Sequence, residues 1–161
     1  MINSLYLKPP FGYDLCIAAM LYGPSYLSLE KSLEYHGLIP EGVAVYTSVT
    51  TRRPVVFKTP VGEYSYRHVK PTLFWGYRKL EIASGEVFIA LPEKAVLDIF
   101  YLNGVNVNTD YLEELRLQNL ENFNLNKLMA FAEKFESPGV KKAADKLAGY
   151  IQNRKNREKY L

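Results

Sequence analysis

The chain has 161 residues, 48% of them hydrophobic and 14% aromatic, with a formal charge of +3. That is apolar material enough for a core in one domain, or one domain with a helical appendage, and it excludes a disordered polyelectrolyte. The absence of any ~18-residue apolar run or of a signal-peptide order at the N-terminus points to a cytoplasmic protein with no membrane contact, and the single Cys16 excludes an internal disulfide or a cysteine zinc cluster.

In chain order, Leu5 to Leu7 suggests a brief strand. Tyr13 to Tyr22 is apolar nearly all round, which predicts a buried helix holding Cys16 as a small hydrophobe. Gly23-Pro24 ends it. Ser28 is a candidate N-cap for a second helix that stops at Gly37. Two short helices joined by GPSYLS invite a helix-turn-helix reading, but Glu30 and Glu34 give the second helix the wrong sign for a phosphate-walled groove. Two core helices ahead of a sheet are expected instead.

From Val43 to Val69 the residues alternate in three strand-like runs. Val43, Val45, Thr47 and Val49 share a face of the first, Pro54 to Thr59 form the second, and Tyr64, Tyr66 and His68 share a side of the third. Between the last two, Thr59-Pro60-Val61-Gly62 has β-turn chemistry. Leu73, Phe74, Trp75 and Tyr77 form an aromatic cluster, and a hairpin follows around Ser84-Gly85. Pro92 opens a helix over Glu93 to Leu102, in which Lys94 and Asp98 make an (i, i+4) pair worth tenths of a kcal/mol if exposed. Everything after Thr109 reads helical: Asp110 and Glu113 resemble a capping pair, Leu125, Leu128, Met129 and Ala132 form one stripe, and Val140, Ala144, Leu147, Ala148 and Ile151 form another. Asn153 to Lys159 is polar enough to fray or to serve as a basic contact. The predicted fold is α+β: a mixed or antiparallel sheet packed by N-terminal helices over residues 1–105, then a C-terminal helical bundle over 106–161.

Charge is concentrated in the strand region. Between Val45 and Lys79 there are seven basic residues against Glu63 alone, a net of +6 in a chain of +3. Either this is a solvated face that keeps sheet edges apart, or it binds an anionic partner. In the second reading Arg52, Arg53, Arg67 and Lys70 supply cations, Tyr64 and Tyr66 supply stacking rings, and His68 is a polar residue at the edge.

No catalytic constellation is visible. His36 and His68 are isolated, and there is no HExxH, GxSxG, P-loop or GxGxxG. Glu30-Lys31 and Glu93-Lys94 have the wrong spacing for a restriction-like nuclease. No catalytic residue, metal ligand or cofactor is therefore assigned.

Three segments, PSYLSLEKSLEYHGLIP (Pro24 to Pro40), TSVTTRRPVVFKTPVGEYSYRHVKPTLFWGY (Thr47 to Tyr77) and IALPEKAVLDIFYL (Ile89 to Leu102), resemble in order and spacing the AbiEi-type antitoxins of bacterial type IV toxin–antitoxin systems. The resemblance covers roughly residues 5–105. It implies a protein that counteracts a nucleotidyltransferase-like toxin without requiring a stable complex, and that acts as a transcriptional regulator through an N-terminal winged helix. Only 23 residues precede Pro24, too few for that winged helix, so the antitoxin region is what the resemblance matches. A DNA or RNA partner for the basic strands is compatible with it. Two alternatives stand beside it: an interaction module whose Tyr/Arg-rich sheet binds an acidic protein, and a nuclease-like enzyme.

Overall fold

A computed structural model describes residues 12–82, 85–104 and 106–159. Among them are six α-helices and a six-stranded mixed sheet in the order β3-β4-β2-β1-β6-β5, an α+β fold. The strands are β1 Ser25–Leu27, β2 Val45–Thr50, β3 Val55–Lys58, β4 Glu63–His68, β5 Tyr77–Ile82 and β6 Gly85–Ala90. β1 runs antiparallel to β2 and parallel to β6, β2 runs parallel to β4, and the outer hairpins β3–β4 and β5–β6 are antiparallel. The Leu5–Leu7 strand and the Ser84 turn position lie outside the described residues.

The β3–β4 hairpin follows from its turn. Thr59 and Gly62 exchange two backbone hydrogen bonds (3.0 and 3.2 Å), and the Thr59 hydroxyl also accepts from the Gly62 amide. A β-carbon on Gly62 would lie 3.1 Å from the Tyr46 ring, a contact tight enough that the ring would have to give by a few tenths of an ångström.

Helices cover the two faces unequally. α1, Tyr13–Leu21, lies on one face and buries Leu15, Cys16 and Ala18 against Leu27, Tyr64, Tyr66, Val87 and Ile89. It is not buried all round as its composition predicts: Met20 is 78% exposed and Tyr13 41%. α2, Leu29–Tyr35, and α3, Pro92–Asn103, cover the other face. α2 ends in a Schellman pattern, with the Gly37 and Leu38 amides returning to Glu34 and Leu33, and with Gly37 at φ 75°. α3 begins at Pro92, as its residues predict, and runs one residue past the expected Leu102 to Asn103, where Gly104 caps it in the left-handed region.

α4, Thr109–Leu115, is capped by Asn108, whose side chain accepts from the Tyr111 amide, and not by the expected Asp110–Glu113 pair. α5, Leu125–Lys134, and α6, Pro138–Lys159, place Leu128, Ala132, Val140, Ala144, Leu147 and Ile151 in the same core cluster as Tyr26, Leu33 and Leu97. Full burial of the leucine, valine and isoleucine side chains among them contributes roughly 1.5–3 kcal/mol each. The helices after residue 106 thus extend the core laid down by α3. α6 remains helical through the polar stretch expected to fray, where Arg154 donates to the Leu117 carbonyl at 2.6 Å.

Between α1 and α2 the chain forms not a simple turn but β1, the strand that joins the two halves of the sheet. The two helices leave it on opposite faces, so they form no helix-turn-helix.

Candidate nucleic-acid interface

Because β4 is inserted between β2 and β3, the connection from β2 to β3 must arch over the C-terminal end of β4. Residues 51–54 form that arch, which brings Arg52 and Arg53 beside His68, the last residue of β4. The arch is pinned at several points. The Thr50 hydroxyl accepts from the Arg52 amide (3.1 Å) and donates to the Pro24 carbonyl (2.7 Å). His68 Nδ1 lies 3.0 Å from the Arg52 carbonyl oxygen, and the Tyr22 hydroxyl donates to the Arg53 carbonyl (3.0 Å).

The Arg52 guanidinium donates to the Gly23 carbonyl (3.0 Å) and lies over the Tyr22 ring, 4.1 Å from its centroid. Stacking of this kind holds a guanidinium flat without neutralising it. Tyr22, Thr51, Arg52, Arg53, Pro54 and His68 line an open cavity of about 660 Å³. Lys70, exposed, follows two residues after His68. Among the described residues none of Arg52, Arg53 and Lys70 forms an ion pair.

Three of the expected binding residues serve the fold. Tyr64 and Tyr66 are 0% and 1% exposed, sealed beneath α1, so neither ring can stack on a base. The Tyr64 hydroxyl donates to the Asp14 carbonyl (2.7 Å) and that of Tyr66 to the Ala18 carbonyl, fastening the helix to the sheet. Burial, then the nearby Asp14 and Tyr13, pushes the Tyr64 hydroxyl up to about 12, keeping it a neutral donor. Arg67 points to the opposite face and donates to the Leu102 carbonyl (2.9 Å) and to Asn103 Oδ1 (3.2 Å), binding the C-terminal turn of α3.

Nor do the seven cations of the strand region share one surface. Lys58 sits on edge strand β3 and Arg78 and Lys79 on the opposite edge β5, roughly 24 Å away at about 4.8 Å per strand spacing. Lys79 is engaged by Glu81 and Glu86. What converges is Arg52, Arg53 and His68, with Tyr22 from the end of α1, a participant that sequence reasoning did not single out.

The second polar assembly is internal. Lys94 and Asp98, the (i, i+4) pair that would be worth tenths of a kcal/mol if exposed, are both 0% exposed. Lys94 Nζ donates to Asp98 Oδ1 (2.8 Å), the Tyr26 hydroxyl (2.7 Å) and the Leu73 carbonyl (3.0 Å), which uses all three of its protons. Asp98 Oδ2 accepts from Ser28 (2.7 Å) and Tyr26 (3.0 Å). Ser28 therefore serves this cluster instead of capping α2 with its side chain. The Trp75 and Phe135 rings lie 4.7 and 5.1 Å from the ammonium. Gly76, at φ 81°, leaves room for the lysine stem, since a β-carbon there would come within 2.6 Å of Lys94 Cγ. Burial pushes the Asp98 carboxyl up, with Lys94, Ser28 and Tyr26 pulling it back, and burial pushes the Lys94 amine down, with Asp98 opposing. Saturated and sealed, the cluster ties β1, α3 and the 73–76 segment together.

Among the described residues no group of three or more His, Cys, Asp or Glu side chains could hold a metal ion, and no helix is long and apolar enough to cross a membrane. No family model matches the chain, and no curated protein matches it.

Proposed function

We propose that this chain is a recognition protein of the AbiEi antitoxin kind, which counteracts a nucleotidyltransferase-like toxin by engaging nucleic-acid phosphates at the arch over β4. The observation that carries this reading is the pair Arg52 and Arg53, exposed and without a carboxylate partner among the described residues, on an arch held in shape by Tyr22, Thr50 and His68. Guanidinium groups match phosphate oxygens in geometry as well as charge. A preformed arch also spares much of the ordering cost of a flexible basic loop. Arg52, Arg53 and Lys70 make the phosphate contacts, with His68 at the cavity wall, while Tyr64, Tyr66 and Arg67 keep the scaffold rigid.

The test is co-expression with the protein of the neighbouring gene, which this reading expects to be a nucleotidyltransferase-like toxin. The wild-type chain should restore growth, and Arg52→Gln/Arg53→Gln should not, at equal soluble expression. Rescue by the double variant would refute the role of the arch; absence of toxicity from the neighbour, or of rescue by the wild type, would refute the antitoxin reading.

A further inference from the structure

A second basic element lies outside the sheet. α6 carries seven basic residues against Asp145 and Glu158, a net of +5. Its buried stripe ends at Ile151, and Gln152 to Lys159 is polar throughout. This half is kept in register by Arg154, which donates to the Leu117 carbonyl at 2.6 Å and pairs with Glu158 at 3.6 Å. Between it and α4 runs a groove of about 930 Å³, near the upper end of the roughly 300–1,000 Å³ of a small-ligand pocket. It shares no residue with the arch over β4.

The groove has an ordered chemistry. Lys146 and Arg157 line it, both exposed and neither in an ion pair among the described residues. Eleven residues separate them, about 16 Å along a helix rising ~1.5 Å per residue. Between them Asn153 and Asn156 present primary amides; Asn156 Oδ1 accepts from Gln152 Nε2 at 3.4 Å, which leaves its NH₂ to donate to a peptide carbonyl, while Asn153 can both donate to a carbonyl and accept from a peptide N–H. Opposite, Asn108 spends its carbonyl on the Tyr111 amide, and its NH₂ makes no hydrogen bond among the described residues. Gly149 leaves the floor open, with nothing within 4 Å of where a β-carbon would stand.

An extended polypeptide advances ~3.3 Å per residue, so about five residues span the distance between the two cations. Nucleic acid fits less well: among the described residues Tyr150 is the one aromatic that lines the groove, where successive bases would need several. We infer that the α4–α6 groove binds an extended acidic segment of a partner protein, with Lys146 and Arg157 taking carboxylates about five residues apart and the asparagines holding the backbone between them.

The probe is an array of capped hexapeptides with glutamate at both ends, compared with peptides of the same composition whose acids are adjacent and with neutral peptides. The full chain should select the end-spaced set. Lys146→Gln/Arg157→Gln should weaken that binding about tenfold, as two exposed ion pairs together allow. Gly149→Leu should also abolish it by filling the floor, and since leucine favours helix over glycine the fold is retained. Arg52→Gln/Arg53→Gln should leave it unchanged. Equal binding of all three peptide sets, retention of selectivity in either groove variant, or displacement of the peptides by a single-stranded RNA oligonucleotide that Lys146→Gln/Arg157→Gln no longer binds would each overturn the inference.

Discussion

Replacing Lys94 with methionine keeps most of the side-chain volume but removes the cation from a site with no solvent contact. Asp98 is left with Ser28 and Tyr26 as donors and no compensating charge. Removing one partner of a buried ion pair typically costs about 3–5 kcal/mol. With a urea m-value of about 2 kcal/mol/M for a domain of this size, the unfolding midpoint should fall by roughly 2 M. The pH dependence is the sharper readout. Burial already raises the Asp98 carboxyl against the pull of Lys94, so losing Lys94 raises it further. The folded variant then binds a proton that the unfolded chain, titrating near ~3.9, does not. Its deficit relative to wild type should therefore shrink as pH falls from 8 toward 5. Lys94→Met/Asp98→Asn, which carries no buried charge, should be more stable than Lys94→Met alone and should lack that pH dependence. Circular dichroism during urea unfolding at several pH values measures all of this. A Lys94→Met midpoint close to wild type at pH 8, with no gain on acidification, would refute the reasoning.

Arg67→Gln should lower stability by about 1–3 kcal/mol through loss of its hold on the end of α3, while leaving nucleic-acid affinity within about twofold after correction for the folded fraction; thermal unfolding and fluorescence anisotropy on one preparation separate the two. His36 has its pKa lowered by burial, with Arg78 adding to that and the Ala90 carbonyl and Glu93 opposing. A depressed folded-state pKa means that the unfolded chain takes up the proton first. The His36 contribution should thus be intact above about pH 6.5 and decline as pH falls below it, and the stability profile of His36→Gln should be flatter across pH 7 to 5.

Features written in local chemistry were legible in the sequence. The Thr59–Gly62 turn, the alternation of β4, the Pro92 start of α3, and the stripes of α5 and α6 each depend on residues within a turn or two of one another. Three features depend on distant partners. β1 has three residues, too few to display a period, and it is a strand only because β2 and β6 flank it. The alternation of Tyr64 and Tyr66 marks a shared side, but that α1 covers that side is a fact of topology. Lys94 and Asp98 have the spacing of an ordinary exposed helix pair; only the packing of β1, the 73–76 segment and α5 around α3 buries them. For the candidate site, charge counted along the chain overstated the surface, because residues adjacent in sequence alternate between faces and the seven cations reach both edges of the sheet. Arg52 and Arg53 remain together because they lie in one connection.

The central claim is that the arch over β4 makes direct phosphate contacts, and its most direct test is the salt dependence of binding to a single-stranded oligonucleotide. Each single-strand phosphate contact contributes about −0.7 to the slope of log K against log salt. Arg52→Gln/Arg53→Gln should therefore make the slope shallower by about 1.4 as well as weaken binding. An unchanged slope in the double variant, or wild-type binding indifferent to salt between about 50 and 200 mM, would contradict the claim.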